Sequence, residues 1–403
     1  MEEKKTTKKT WLPLAIVVIA AVIIVLGLWI FVYNKDGGDK KVPTASTKQD
    51  LVTVEQRSLL MKSGETSTLT VKGKDVKFAS SNEAVAKVDA SGTVTAVAKG
   101  KALITITSGE ETEYCGVLVD IEGAMIDVSK QKASQLISEV ELEEPGAISG
   151  FAMDMANDAY YFAQPYGTVS YGNLSSDIIV NKVQKNENGV YAVDSWMRFY
   201  ESGTGRIAID KDGIETDLLL ESNGSSSGGG NTLSKVRWED EGFAQGEYGI
   251  TYTLDGVEES ASPSVDRYNN LLLIYDKSSR TYFVYDKEMV EKDGSATYLH
   301  SVKIAGEQTP VAGADESKGF YNASIRGVAF ADGYIYQISG SKMIYLSVFD
   351  LNGTLQYCRR VPDFFDMEVR VPAGIVVENG KVYIAVGSYN TGYYFANVWM
   401  FEW

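Results

Sequence analysis

Apolar and polar positions change rhythm four times along the chain. Residues 11–33, WLPLAIVVIAAVIIVLGLWIFVY, run uncharged for 23 residues, enough at 1.5 Å per residue to cross the ~30 Å hydrocarbon core of a bilayer. Trp11, Trp29 and Tyr33 stand at the ends of that run, where amphipathic rings favour the interface. The run is longer than the core of a cleaved signal peptide and lacks a small-x-small cleavage site, so it predicts an uncleaved signal anchor. Lys4, Lys5, Lys8 and Lys9 precede it and Lys35, Lys40, Lys41 and Lys48 follow it. The short charged head (1–10) places the N-terminus inside, residues 34–50 as a polar linker, and the bulk of the chain outside a bacterial cell.

Over 51–121 the pattern becomes short alternating runs between turn residues. Val94 and Ala96 alternate with Thr93 and Thr95, Lys99-Gly100 makes a turn, and Ala102, Ile104 and Ile106 alternate with Leu103, Thr105 and Thr107. Strands this short and regular predict a small antiparallel sandwich. Cys115, on its last strand, reads as a small buried residue. In the connector 122–148, Val128, Ala133, Leu136, Ile137 and Val140 keep near-helical spacing, with Ser129 as N-cap and Pro145-Gly146 as a stop.

Residues 149–403 repeat a theme. Five segments (149–164, 197–213, 262–286, 324–340 and 371–387) each predict a strand pair around a tight turn: Ala-Asn-Asp, Lys-Asp-Gly, Lys-Ser-Ser, Ala-Asp-Gly and Glu-Asn-Gly. Their spacing suits four-stranded blades with loop insertions, so the prediction is a five-bladed β-propeller, with a plain sandwich as the alternative. The fold class is therefore all-β after one transmembrane helix.

Two resemblances follow from specific strings. VKFASSNEAVAKVDASGTVTAVAKGKALITIT, preceded by MKSGETSTLTV, resembles the bacterial group 2 immunoglobulin-like domain, with Phe78 where that family often has Trp. Such domains serve as stalks or adhesive modules on bacterial surfaces. Gly150-Phe151-Ala152 before Tyr160-Tyr161-Phe162, Met197-Arg198-Phe199, and Pro372-Ala373-Gly374-Ile375 before Val382-Tyr383-Ile384 resemble the five-bladed propellers shared by phage tail receptor-binding proteins, teichoic acid biosynthesis protein C and helveticin-type bacteriocins. The resemblance implies attachment to a cell-envelope glycopolymer. Tyr200-Glu201-Ser202-Gly203-Thr204-Gly205 stands where members often show Phe-Gly-His-Gly, and Val371-Pro372-Ala373-Gly374 lacks the acidic residue that commonly precedes the Gly.

Composition narrows the chemistry. Lys and Arg number 38 against 54 Asp and Glu, for a net charge of −16, which argues against nucleic acid as a partner. One His and two Cys exclude a His-rich zinc site and a disulfide scaffold. His300, in a strand-like run without a nucleophile motif, reads as structural. Gly224-Ser-Ser-Ser-Gly-Gly-Gly230 lacks the Lys of a phosphate-cradling loop.

No catalytic residue is assigned. Asp154, Asp194, Asp210 and Glu201 lie where side chains reach a central channel, and they are the candidates for a glycosidase pair or for Ca²⁺. Tyr389, Tyr393, Tyr394 and Trp399 are the candidate sugar-stacking rings, and Arg359, Arg360 and Arg370 the candidate basic patch for a polyanionic ligand. The sequence thus predicts a membrane-anchored bacterial surface protein whose Ig-like stalk carries a non-catalytic propeller for a cell-wall or host glycopolymer. The alternatives are an extracellular glycosidase or other hydrolase, and a protein-docking propeller for envelope assembly.

Overall fold

The computed structural model describes residues 51–126, 132–143, 147–165, 177–199, 206–213, 215–221, 231–239, 250–258, 261–304, 306, 308, 311, 325–340, 344–361, 370–390 and 393–402. The chain is all-β, and the one helix among the described residues is Lys287–Asp293. The predicted membrane helix 11–33, with its head and linker, lies outside the described residues. No helix among the described residues is long and apolar enough to cross a membrane.

The first strands form a small sandwich. One sheet orders Ser58–Met61, Glu111–Val119, Gly100–Ser108 and Lys77–Ser80, and a second orders Thr66–Thr68, Thr93–Ala96 and Ala86–Val88. The alternation over 93–107 turns Val94, Ala96, Ala102, Ile104 and Ile106 inward against Cys115, Val117 and Val119. Burial pushes the Cys115 thiol up to about 12, so it is an inert core residue. One departure from an antiparallel sandwich is that Ser58–Met61 runs parallel to Glu111–Val119.

The rest of the described chain builds five sheets. The first contains Gly150–Asp154, Ala159–Pro165, Ile178–Lys185 and Tyr191–Phe199. The second contains Ile207–Lys211, Asp217–Glu221, Thr232–Arg237 and Ile250–Leu254, with Ser295–Ala296 added parallel at its edge. The third contains Ala261–Asp266, Leu271–Asp276, Thr281–Asp286 and His300–Lys303. The fourth contains Ile325–Ala331, Tyr334–Gly340, Ile344–Phe349 and Leu355–Arg360. The fifth contains Arg370–Glu378, Lys381–Asn390, Tyr393–Glu402 and, outermost, Lys132–Glu141. The first strand of each sheet touches the first strands of its two neighbours, and the fifth returns to the first, so the sheets close a ring.

Five apolar clusters sit between consecutive sheets around that ring. Both faces of each sheet are covered, which is why strands such as LLLIYD (271–276) and DLLLE (217–221) are buried throughout. Many tyrosines belong to this packing: Tyr161, Tyr252, Tyr282, Tyr285 and Tyr336 are among the largest fully buried side chains. The turns follow the predicted chemistry. Asp332-Gly333 and Asn379-Gly380 both hold positive φ at the two central residues of their hairpins.

Two predicted elements are corrected. The segment 197–213 is not one hairpin, because residues 197–199 end the outermost strand of the first sheet and Ile207–Lys211 begins the second. Residues 132–141 are a strand rather than a helix. Its pairing with Tyr393–Glu402 shifts register between Gln135 and Ile137 and again between Ile137 and Val140, and Glu139 takes φ 50°. These bulges restore two buried residues, Ile137 and Val140, to one face at a spacing of three, which imitates a helical period.

The sandwich and the ring share a core. Leu103 and Leu118 point away from the sandwich interior and pack, with Ile121, against Leu271, Val284, Leu299 and Phe330. Lys101 Nζ pairs with Asp286 Oδ1 at 2.9 Å and donates to the Asn270 carbonyl at 2.6 Å. His300 spans the same joint: Nε2 donates to the Leu351 carbonyl at 2.6 Å, which leaves Nδ1 to accept from Ser58 Oγ at 2.8 Å. Burial lowers the His300 pKa despite the Leu351 bond. The unfolded chain therefore takes up the proton first as pH falls, and this contribution, full above about pH 6.5, is lost on acidification. Denaturation midpoints should fall more between pH 7.5 and 5.5 for the parent than for His300→Gln, and equal slopes would remove the His from this role.

Candidate functional site

Cross-contacts give the five first strands a common direction around a central cavity. Asn157, in the first turn of the first sheet, donates through Nδ2 to the Gly213 carbonyl, Arg267 pairs with Asp212, and Phe330 N donates to Ser264 Oγ at 2.8 Å. The first strands thus all begin on one face of the ring, here the starting face, and turn into the second strands on the other, the turning face. The sandwich contacts the turning face, where Gly123 N donates to the Asp332 carbonyl at 2.8 Å.

The cavity is about 980 Å³ and is lined from all five sheets. Among the described residues its charged lining is one carboxylate, Glu378, and six cations: Arg206, Arg267, Lys277, Arg280, Lys303 and Arg326. Glu378 and Arg267 belong to the turning face. Burial raises the Glu378 pKa, Arg267 opposes that shift, and Asp212 and Asp266 add to it. The other five cations belong to the starting face. Arg206 and Arg326 begin the first strands of the second and fourth sheets, and Arg206 Nη1 donates to the Arg326 carbonyl. Withdrawal from water holds the Arg206 guanidinium below its ordinary value, partly offset by Glu221, while Arg326 lowers it further.

The carboxylates expected at a channel are spread apart. Asp154 is buried and consumed by its turn: Oδ1 accepts from Ala156 N at 3.0 Å and Asn157 N at 3.1 Å, and Oδ2 from Thr216 Oγ1 at 2.6 Å and Asn157 Nδ2 at 2.8 Å. Asp266 caps the corresponding turn of the third sheet through Asn269. Asp210 is buried between Lys235 at 2.5 Å and Lys287 at 2.8 Å, both of which also reach Glu291. Asp194 is exposed on an outermost strand, 3.6 Å from Lys182. Glu201 lies outside the described residues. Asp154→Ala should therefore cost about 1–3 kcal/mol of stability by orphaning its buried donors and leave ligand retention unchanged, which thermal denaturation and a retention assay can compare.

The aromatic and basic candidates also separate. Tyr389 and Tyr394 are paired across the hairpin of the fifth sheet, with Tyr393 opposite Asn390, but their side chains lie outside the described residues, as does that of Arg370 on the innermost strand. Trp399 is half-buried and packs against the apolar cluster between the fourth and fifth sheets. Arg359 and Arg360 are half-buried on the outermost strand of the fourth sheet and are not part of the cavity lining. Among the described residues, no group of three or more carboxylate, imidazole or thiol side chains is placed to hold a metal ion. The cations of the cavity were missed because they are scattered singly from 206 to 326. Two of them, Arg206 and Arg326, share one signal, an Arg beside the first strand of a segment, in GRIAID and SIRGVAF.

Comparison with known proteins supports the two parts of the fold separately. Residues 42–117 match the family described as bacterial Ig-like domain (group 2). The tail fiber of Staphylococcus aureus phage P68 superposes with a TM-score of 0.53 at 15% identity, covering 68% of this chain and 53% of the fiber, a likeness of fold alone. The exo-beta-1,3-galactanase of Phanerochaete chrysosporium (TM-score 0.39, 10% identity, 66% of this chain and 63% of that one) and the GH43_1 enzyme from Xanthomonas citri (TM-score 0.40, 8% identity, 66% and 89%) are more distant. Likeness at that level supports no functional statement. The chain spans about half the length of the tail fiber and just under two thirds of the galactanase. No curated protein matches the chain.

Proposed function

We propose that the five-sheet ring is a five-bladed propeller that binds a glycan of the cell envelope or of a host without cleaving it. In this reading the segment 11–33 anchors the protein in a bacterial membrane, and the Ig-like sandwich carries the propeller outside. The observation that supports binding over hydrolysis is the cavity lining. Glycoside cleavage needs two carboxyl groups about 5–9.5 Å apart across the scissile bond, and Glu378 is the single carboxylate of the lining among the described residues. Asp154 and Asp210, the buried candidates, already hold a turn and two lysines. Retention of the full-length protein on purified wall polymer, or on members of a glycan panel, is the expected result. No retention on any of them would overturn the proposal, and so would steady release of sugar from a retained polymer.

A further inference from the structure

The starting face of the cavity is lined by five cations and, among the described residues, by no carboxylate. In a chain with 54 acidic and 38 basic residues, a lining drawn at random would be mostly acidic. The five come from three consecutive sheets. Arg206 and Arg326 flank the third sheet, whose turn between Leu271–Asp276 and Thr281–Asp286 carries Lys277 and Arg280 and whose last strand ends on Lys303. Lys277, Arg280 and Lys303 are exposed. Among the described residues none of the five has a carboxylate within ion-pair distance. The carboxylates that touch the Lys277–Arg280 turn, Asp276 and Glu258, accept from the Ser278 hydroxyl at 2.9 and 3.4 Å.

We infer that the starting face binds the anionic groups, phosphate or carboxylate, of a sugar polymer. This rests on the glycan-binding reading and names the class of glycan. Among the described residues the five cations have no carboxylate within ion-pair distance, and Glu221 only partly offsets the environment of Arg206, so the gathered like charges repel one another, and a polyanion relieves that repulsion while a neutral sugar does not. Guanidinium forks match the oxygens of both phosphate and carboxylate, and the lysines add point charges. The acidic exterior does not prevent this, because at physiological ionic strength its field decays within about 8 Å and the mouth decides at contact. Among the described residues the sandwich contacts the turning face and not the starting face.

The test retains full-length protein on three immobilised polymers: a phosphodiester-linked bacterial wall polymer, polygalacturonate and dextran. The variant Lys277→Glu/Arg280→Glu/Lys303→Glu alters only exposed side chains, and Lys72→Glu, exposed on the sandwich, is the control. Expected are retention on one or both anionic polymers that weakens at high ionic strength, none on dextran, and at least ~10-fold weaker retention for the triple variant but not for Lys72→Glu. Which anionic polymer binds identifies the source of the anion. Equal retention on dextran, or a triple variant that binds like the parent, would overturn the anionic ligand while leaving glycan binding in place. No retention on any polymer would overturn both.

Discussion

Ile137→Asp is expected to leave the protein largely unfolded, although the residue lies in a stretch whose spacing resembles a connector helix. Ile137 is fully buried between the fifth and first sheets, against Phe162, Ala385 and Val398. It belongs to the strand that makes Lys132–Glu141 the outer edge of a sheet otherwise formed by the end of the chain. The substitution removes the apolar contacts of the side chain and places a carboxylate in their cluster, a loss of about 5 kcal/mol or more against a typical total of about 5–15 kcal/mol. It also frees Tyr393–Glu402 as an unpaired strand edge, a template for aggregation. Circular dichroism and gel filtration should show loss of cooperative melting and high-mass species, while Ile137→Val costs about 0.5–1.5 kcal/mol. A folded, monomeric Ile137→Asp protein would mean that this strand does not close the ring.

Gly116→Val should break the joint between sandwich and ring. A Cβ at Gly116 would stand 1.9 Å from the Leu299 carbonyl oxygen and 2.3 Å from its Cα, so backbone meets backbone and neither side chain can rotate away. Overpacking of a core costs about 1–3 kcal/mol where side chains can adjust. Here relief requires the two bodies to part, exposing Leu103, Leu118 and Leu299. Gly109→Ala is the control, because Gly109 has φ 63° but no atom within 4 Å of its would-be Cβ, and its cost is the conformational one alone, about 1–2 kcal/mol. Limited proteolysis should release a ring fragment from the Gly116→Val protein much faster than from Gly109→Ala. Equal rates would show that the sandwich is a loosely tethered stalk.

Local chemistry made some of this legible in the sequence. Alternation over 93–107 and the Asp-Gly and Asn-Gly turns report their own backbone needs, so the sandwich strands and several hairpins could be read directly. Runs such as LLLIYD mark strands covered on both faces, but they do not say what covers them, and Leu103 alternates with the inward positions of its strand in company with Thr105 and Thr107, which does not announce a second core. Bulges at 135–140 disguised a strand as a helix because periodicity assumes an unbroken ladder. The place of the carboxylates in the segments points to a channel, whereas their chemistry is set by partners distant in sequence: Thr216 for Asp154, and Lys235 and Lys287 for Asp210. The cationic face has no run of basic residues at all. It exists only once the ring brings together positions as far apart as Arg206 and Arg326.

The claim that the cavity, through its starting face, is the binding site is tested most directly by hydrogen–deuterium exchange of the full-length protein with and without phosphodiester-linked wall polymer. Protection is predicted at 206–209, 277–280, 303–304 and 325–328, with the sandwich strands unchanged. Protection confined to the Tyr389–Tyr394 hairpin or to the sandwich, with the cavity strands exchanging as in the free protein, would contradict it.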